Sequence, residues 1–298
     1  MNSMQVGGQA VIEGVMMKSK ELWSVAVRDR KGVIHVKSER LAPLPKALKL
    51  PIIRGVVALF QSITLGMKAI DYSASKAYDD EGEKPLSPTA IGLTMGVALL
   101  LGVGLFIFLP LYITKLIGMV FPIVAESSLM FNMVDGVLRV LFFLIYVVSV
   151  GFWKEMRRVF EYHGAEHKVI FAYEAGGDMA VDTIQGFGTH HPRCGTSFLF
   201  IVMILSMLIF SIIPKSWEFY MKLGSRIVLI PLIAGASYEI LKLSAKLTKN
   251  PLIRFMIKPG LMLQYMTTKE PDNEQIEVAL KALMEVVPNK DGGKFVSS

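Results

Sequence analysis

The sequence predicts an α-helical polytopic membrane protein with about four transmembrane helices and a small cytoplasmic α/β portion. The 298 residues are 52% hydrophobic and 19% charged, with a mean hydropathy of +0.47, whereas charged residues make up about 25% of soluble domains. Uncharged runs are long, notably the one between Lys84 and Lys115, and about 20 apolar residues suffice for a helix to cross a bilayer. Basic residues are distributed unevenly between the segments that separate these runs.

Residues 1–50 are predicted to form a β-rich cap on the cytoplasmic side. Trp23–Val27 and Val33–Lys37 have β-type composition, and the polar segment between them is typical of a hairpin connection. The adjacent glycines Gly7 and Gly8 indicate a backbone that turns sharply or approaches another group closely.

Residues 51–87 are predicted to hold an amphipathic or re-entrant helix followed by a polar linker. The segment 51–70 is apolar, but it carries Arg54, Gln61 and Lys68 at intervals. We expect this helix to lie at the inner membrane surface, because a fifth span here would oppose the charge distribution described below.

Four transmembrane helices are expected, two within residues 88–153 and two within residues 195–247. The second helix carries Asp135 and Arg139, which stand four residues apart and are predicted to compensate each other's charge. Residues 248–298 are predicted to form a cytoplasmic tail with a C-terminal helix, because apolar residues recur there at helical spacing.

The basic residues predict the orientation of these helices. Residues 1–87 carry thirteen Lys and Arg, residues 154–194 carry five and residues 248–298 carry seven, whereas the two alternate loops together carry four. The positive-inside rule then places both termini and the 154–194 loop in the cytoplasm of a multi-pass protein of the inner, or plasma, membrane. The lipid bilayer is the expected partner, and its anionic headgroups explain the basic pI without nucleic-acid binding, which we do not expect. No cleavable signal peptide is expected, and the sequence makes no prediction about homo-oligomers.

The most informative feature for function is a concentration of histidines in the 154–194 loop. Four of the five histidines and the only cysteine lie within 32 residues of one another. They form the two clusters His163-Gly-Ala-Glu166-His167 and His190-His191-Pro-Arg-Cys194. Histidine and cysteine are the side chains that bind zinc best, so the loop predicts a site for a divalent metal, with zinc the expected ion.

The first cluster has the inverted zincin order H-x-x-E-H. On a helix, His163 and His167 share one face, and Glu166 beside them is predicted to be the catalytic general base that acts on metal-bound water. The remaining ligands are expected among His190, His191 and Cys194. Glu161 is a further oxygen ligand or hydrogen-bond partner of a ligand, and Glu239 either lines the cavity of the metal or pairs with Lys242 one turn away.

The metal site leaves more than one function open. A site with a free coordination position suits a metal-dependent hydrolase, whereas a closed four-ligand site is structural. The alternative is therefore a non-catalytic, metal-stapled membrane scaffold or regulatory protein that binds a protein partner on the cytoplasmic face. A transporter ranks third, because only Asp135 and Arg139 lie deep in the membrane and no inverted repeat is present. The histidines could also be hydrogen-bonded core groups without a metal.

Several stretches of the chain carry a resemblance to a known family. They are Gly7–Met17, Glu161–Lys168, His191–Ser197, Ser237–Glu239, Pro259–Gln264 and Thr267–Pro271. In these stretches the chain resembles the YqhQ-type bacterial membrane proteins, a family of unknown function whose members are regarded as predicted metal-dependent enzymes. The resemblance also directs attention to the polar residues Gln9, Glu13, Arg54 and Gln264 as neighbours of the site or residues of its cavity.

Overall fold

A computed structural model describes residues 6–43, 45–78, 88–191, 194–214, 216–246 and 251–287. Most of the expected linker before residue 88 and the end of the tail after residue 287 lie outside the described residues. The described part is mostly helical, with one antiparallel sheet near the N-terminus.

The sheet has four strands in the order in which they occur along the chain. They are β1 (Gly7–Val11), β2 (Gly14–Lys18), β3 (Leu22–Arg28) and β4 (Ile34–Arg40). The hairpin expected from the composition of the last two strands is present, with Trp23 opposite Glu39 and Val27 opposite His35. The sequence did not predict β1 as a strand, because glycine and alanine dominate it and β-branched residues are few.

Eleven α-helices and two short irregular helices follow within the described residues. They are α1 (Ile53–Ala77), α2 (Pro88–Val103), α3 (Leu109–Val120), α4 (Pro122–Glu126), α5 (Ser128–Gly151), α6 (Lys154–Ala175), α7 (Val181–Gln185), α8 (Gly195–Phe210), α9 (Phe219–Lys246), α10 (Pro251–Thr267) and α11 (Asn273–Val286), with a 3-10 helix at Lys46–Lys49. A π-helical turn at Gly104–Phe108 joins α2 to α3 in one continuous rod.

Four of the described helices are long and apolar enough to cross a membrane. They are Ile53–Ala77, Gly92–Val120, Ser128–Gly151 and Phe219–Ser244. This set differs by one member from the four expected spans. The third expected span is α8, a helix of only 16 residues that extends about 24 Å at 1.5 Å per residue, less than the roughly 30 Å hydrocarbon core of a bilayer.

Helix α1 takes the place of α8 in this set, although it packs in two different environments. Near its start it crosses α9 closely, and a Cβ on Gly55 would lie 2.7 Å from the Gly235 carbonyl oxygen. Further along, Leu65 and Ala69 pack against the sheet, and Lys18 of β2 donates a 2.6 Å hydrogen bond to Gln61. The second half of α1 is therefore committed to the sheet on one face.

The sheet lies between two helical layers. One face, which includes Val15 and Met17, packs against α6 and α11, and the opposite face, which includes Trp23, packs against α1. Both covering helices have clear ends: α6 stops at Gly176 in the left-handed conformation (φ 67°), and Asp272 begins α11 with a capping box. This packing presents one face of α6 to β1, α8 and the end of α10.

A polar cluster lies between the long helices. Arg139 contacts Asp135 at 3.1 Å, as the i, i+4 spacing predicted. Arg226 joins this pair, at 2.7 Å from Asp135 and 2.9 Å from the side-chain oxygen of Asn132. Arg226 is one of the four basic residues counted with the two alternate loops, but α9 already begins at Phe219. The arginine therefore points into the bundle.

Candidate functional site

Three of the predicted ligands meet at one point. His163 and His167 lie one turn apart on α6, and Cys194 is the N-cap residue of α8. One ligand atom from each residue lies within 4.8 Å of the other two, and His163 Nε2 lies 3.2 Å from Cys194 Sγ. Tetrahedral zinc with bonds of about 2.0–2.3 Å separates its ligand atoms by roughly 3.3–3.8 Å. The three side chains therefore have the spacing of a metal site after small adjustments.

Backbone carbonyl groups orient both imidazole rings. His163 Nδ1 lies 2.8 Å from the Thr267 carbonyl oxygen, and His167 Nδ1 contacts the Thr189 carbonyl oxygen. Because a carbonyl group only accepts, each Nδ1 carries the hydrogen and each Nε2 presents its lone pair toward Cys194. Metal-binding histidines usually have this arrangement of an outer hydrogen bond.

His167 Nε2 is buried and has no hydrogen-bond partner of regular geometry. Burial lowers the pKa of His167, although the nearby Cys194 thiol acts in the opposite direction. The neutral imidazole is the form that binds metals. His167 thus keeps an electron pair out of water and points it at the other two ligands, which normally costs free energy unless something binds there.

Gly164 allows the orienting carbonyl groups to reach α6. A Cβ at this position would lie 2.0 Å from the Lys269 carbonyl oxygen and 3.3 Å from the Thr189 side chain. The Lys269 N–H also donates to the Phe160 carbonyl at 2.9 Å. Glycine is required here because two chain segments press against the helix at this point.

Glu166 is almost completely buried, with 5% of its surface exposed. The carboxylate lies beside the Gly8 N–H of β1, which acts to lower its pKa, and a Cβ on Gly8 would lie only 2.9 Å from the Glu166 side chain. Burial raises the pKa of Glu166, while His163 and His191 partly oppose this effect. A carboxyl group with a raised pKa exchanges protons more readily near neutral pH.

The two remaining histidines of the second cluster fall outside the group of three ligands. His191 Nε2 lies 3.4 Å from a Glu174 carboxylate oxygen, and burial lowers its pKa. Gln264 fixes the His191 backbone, accepting from its N–H at 2.7 Å and donating to its carbonyl at 2.8 Å. The His190 ring packs on Tyr265, with 4.1 Å between ring centroids. Their assignment as metal ligands stays a prediction.

The three ligands and Glu166 open into a cavity of about 430 Å³. His191 and all residues from Val6 to Ala10, including the predicted Gln9, contribute to its wall. The rest of the wall is largely apolar and includes Phe160, Ile170 and Leu199. A few converging polar groups in an apolar cavity are typical of a ligand-binding site.

Two of the predicted neighbours of the site, Glu13 and Glu161, connect secondary-structure elements and do not line this cavity. Glu13 forms a two-point ion pair with Arg158 of α6 at 2.5 Å, and its backbone has a positive φ of 48° in the β1–β2 turn. Glu161 accepts a 3.0 Å hydrogen bond from Gln275 of α11 and lies 3.4 Å from Arg157. Both carboxylates therefore join α6 to its neighbours.

Arg54 and Glu239 are partners of each other. Arg54 Nε donates to a Glu239 carboxylate oxygen at 2.6 Å, and a second contact completes a two-point ion pair. Lys242 was one expected partner of Glu239, but the pairing runs between α9 and α1, where the helices approach through Gly55 and Gly235. Neither residue is part of the cavity wall.

The backbone groups of the site could not be identified from the sequence. The carbonyl groups of Thr189 and Thr267 and the N–H of Gly8 carry no side-chain signature. Their only sequence signals are glycines at positions that otherwise favour side chains, such as Gly164 inside a helix.

Comparison with known proteins gives the chain a family but no activity. Residues 50–289 match the family model described as Protein of unknown function (DUF1385). The chain is 31% identical over 296 residues to the Uncharacterized protein YqhQ of Bacillus subtilis (strain 168), covering 94% of this chain and 92% of that protein. No solved structure matches the chain. The resemblance to the YqhQ-type proteins is confirmed, and the chain belongs to the DUF1385 family, whose function is unknown.

Proposed function

We propose that this protein is a metal-dependent hydrolase of the inner membrane, with its site at the cytoplasmic face. His163, His167 and Cys194 hold the cation, and Glu166 is the general base. One observation carries the proposal: three oriented ligand atoms converge beside a buried carboxylate and face a cavity.

The ligands fit zinc better than magnesium or calcium. Two imidazole nitrogens and one sulfur form a borderline-soft set, whereas Mg²⁺ and Ca²⁺ prefer oxygen. The Thr196 N–H and hydroxyl group both donate to Cys194 Sγ, at 3.5 and 3.4 Å, which keeps the sulfur near the N-terminus of α8. Three protein ligands leave a fourth position for substrate or water, as in catalytic zinc sites.

A bound cation supplies Lewis acidity, which polarises a substrate oxygen and makes water more acidic. The protein supplies the proton transfer and the environment. Glu166 takes a proton from water and returns it to the leaving group, a role that suits a carboxyl group whose pKa burial has raised. The apolar wall excludes bulk water, and Gln264 holds the His191 segment in place beside the reacting groups.

The test is the metal content and activity of detergent-purified protein. We expect about one zinc ion per chain in the wild type and loss of the metal in His163→Ala, His167→Ala and Cys194→Ala. His190→Ala is the matched control and should retain the metal. Glu166→Gln should retain metal and fold but lose the cellular function of the protein. A wild-type preparation almost free of metal, unchanged by the ligand substitutions, would sink the proposal.

A second function, a metal-stapled scaffold that binds a protein partner, is favoured by the position of His191. Its ring centroid lies 5.8 Å from that of His167, which makes His191 the nearest histidine that could serve as a fourth ligand and close the site. The Glu166→Gln variant separates the two functions, since a scaffold does not need a general base. Full cellular function of this variant supports the scaffold.

A further inference from the structure

The two edges of the sheet differ in chemistry. The outer strand β4 has ionisable residues at four of its seven positions, namely His35, Lys37, Glu39 and Arg40. Such charges protect an edge strand from pairing with another chain. The opposite edge, β1, reads Gly7-Gly8-Gln9-Ala10-Val11 and carries no charge and no proline. Among the described residues, no strand pairs with its outer side.

The uncharged edge strand β1 faces the cavity. Val11 and Gly14 are the pair that closes the β1–β2 hairpin, and such a pair exchanges both backbone hydrogen bonds. Because hydrogen-bonded pairs alternate along an antiparallel ladder, Ala10 and Gly8 direct their backbone groups outward. The Gly8 N–H reaches Glu166, which agrees with this direction. The Gly8 carbonyl and both backbone groups of Ala10 then follow along the cavity wall.

Small side chains let a second backbone approach this edge. A Cβ on Gly7 would meet nothing within 4 Å, and Gly8 and Ala10 add little bulk. Across the cavity, Phe160, Ile170 and Leu199 form apolar walls. A row of outward backbone donors and acceptors next to apolar walls matches an extended polypeptide with apolar side chains. A lipid chain would leave the backbone groups of β1 without partners.

We propose that an extended polypeptide with apolar side chains binds in this cavity by pairing with β1 as an additional strand. This pairing lays a peptide bond beside His163, His167 and Cys194, and it makes the protein a peptidase if the proposed hydrolase function holds. In the reaction, the oxygen of water bonds to the peptide carbonyl carbon and the C–N bond breaks. Glu166 moves one proton from water to the leaving amine, so no oxidant or reductant is needed.

The binding step can be tested without the metal and without turnover. The probe is a fluorescein-labelled decapeptide library built from valine, leucine, phenylalanine, alanine and threonine, measured by anisotropy with chelator-treated, full-length protein in detergent. The matched control library has the same side chains with N-methyl groups at alternate residues, which block strand pairing. We expect the N-methylated library to bind at least about tenfold more weakly, because several backbone hydrogen bonds are lost.

Ala10→Pro tests the protein side of the pairing. Proline is tolerated at an outward-facing position of an edge strand and removes only the outward N–H, so the peptide affinity should fall about tenfold. The control Glu155→Gln changes an exposed carboxylate outside the cavity wall and should keep the wild-type affinity. Equal binding of both libraries to the wild type would overturn the proposal, whether or not Ala10→Pro folds. The proposal would also be wrong if a fluorescent fatty acid displaces the peptides and N-methylation has no effect on their binding. Metal uptake without peptide binding defeats strand pairing alone. Peptide binding without metal uptake defeats only the hydrolase function.

Discussion

The molecule holds two buried polar clusters, and they differ in how their polar atoms are matched. Between the long helices, the carboxylate of Asp135 lies between Arg139 and Arg226, so opposite charges face each other at 3.1 and 2.7 Å. Beside the sheet, His163, His167 and Cys194 bring together atoms that all offer electron pairs. The first cluster matches opposite charges within the chain, whereas the second has the donor set of the proposed metal site.

This difference separates a structural role from a functional one. A buried ion pair holds helices in register, and removing one partner costs far more than the pair contributes. A convergence of lone pairs gains nothing from packing, and it is retained at a cost that ligand binding can offset. The transporter function becomes the least supported of the three, because the buried charges of Asp135, Arg139 and Arg226 pair with one another. Arg139 and Arg226 also both pack on Phe210.

The largest expected effect lies in the helix cluster. Asp135→Ala should destabilise the protein by about 3–5 kcal/mol, because two buried arginines lose their shared counter-charge. Thermal unfolding in detergent measures this loss. Glu155→Ala, an exposed carboxylate in the first turn of α6, is the control and should stay within about 0.5 kcal/mol of the wild type. Equal stability of the two variants would contradict a structural role for Asp135.

At the proposed metal site of His163, His167 and Cys194, a chelator should lower the stability of the protein. A bound cation at 100 to 1,000 times its Kd stabilises the folded state by about 3–4 kcal/mol. A chelator should therefore lower the unfolding temperature of the wild type and leave that of His167→Ala unchanged. Asp135→Ala, if it folds, should still respond to chelation. If chelators do not change the unfolding temperature of the wild type, the cluster of His163, His167 and Cys194 holds no stabilising cation, and the proposed difference between the two clusters is wrong.

Gly164→Ala should weaken metal binding by about 10- to 100-fold, the usual effect of losing the outer hydrogen bonds of histidine ligands. The added methyl group would collide with the Lys269 carbonyl oxygen and displace the segments that orient both rings. A competition titration with a zinc indicator measures the affinity. Gly188→Ala is the matched control, since a Cβ there meets nothing within 4 Å. Unchanged affinity in Gly164→Ala would show that the carbonyl groups do not set the ring geometry.

The smallest effect concerns pH and the metal-free protein. The raised pKa of Glu166 means that the folded state binds its proton more tightly than the unfolded state does. Ionising Glu166 therefore costs stability above its unfolded pKa of about 4.3. Glu166→Gln should be more stable than the wild type at pH 8 in chelator, and this advantage should vanish as the pH falls toward 4.3. The control Glu155→Gln should show no such trend in thermal unfolding.

Much of the helical framework could be predicted from the sequence, since hydrophobic runs and helix-stop residues report on local structure. The C-terminal helix α11 and the pairing of Asp135 with Arg139 are examples. The partnership of Arg226 with Asp135 was missed, because it depends on where α9 begins and how it packs. Strand β1 was missed as well, because small residues give no alternating pattern.

The site was predictable only as far as side chains identify it. His163, Glu166, His167 and Cys194 were recognised by residue type and spacing, and the structure brings them to one cavity. Cys194, and not His190 or His191, lies next to His163 and His167. Which of the three lies there depends on the path of the loop between α6 and α8. Gln264, which holds that loop, lies 73 residues away in sequence, and no local pattern reports such a contact.

The hydrogen bond between His163 and the Thr267 carbonyl group joins residues that are 104 positions apart. During synthesis at about 5–20 residues per second, the histidine therefore exists for roughly 5–20 s before its orienting partner has been made. In that interval the nascent chain exposes imidazoles and a thiol without the geometry that selects among metals. If the proposed metal site holds, correct metallation depends on completion of the chain, because a ribosome that stalls before Thr267 leaves His163 without its orienting carbonyl group.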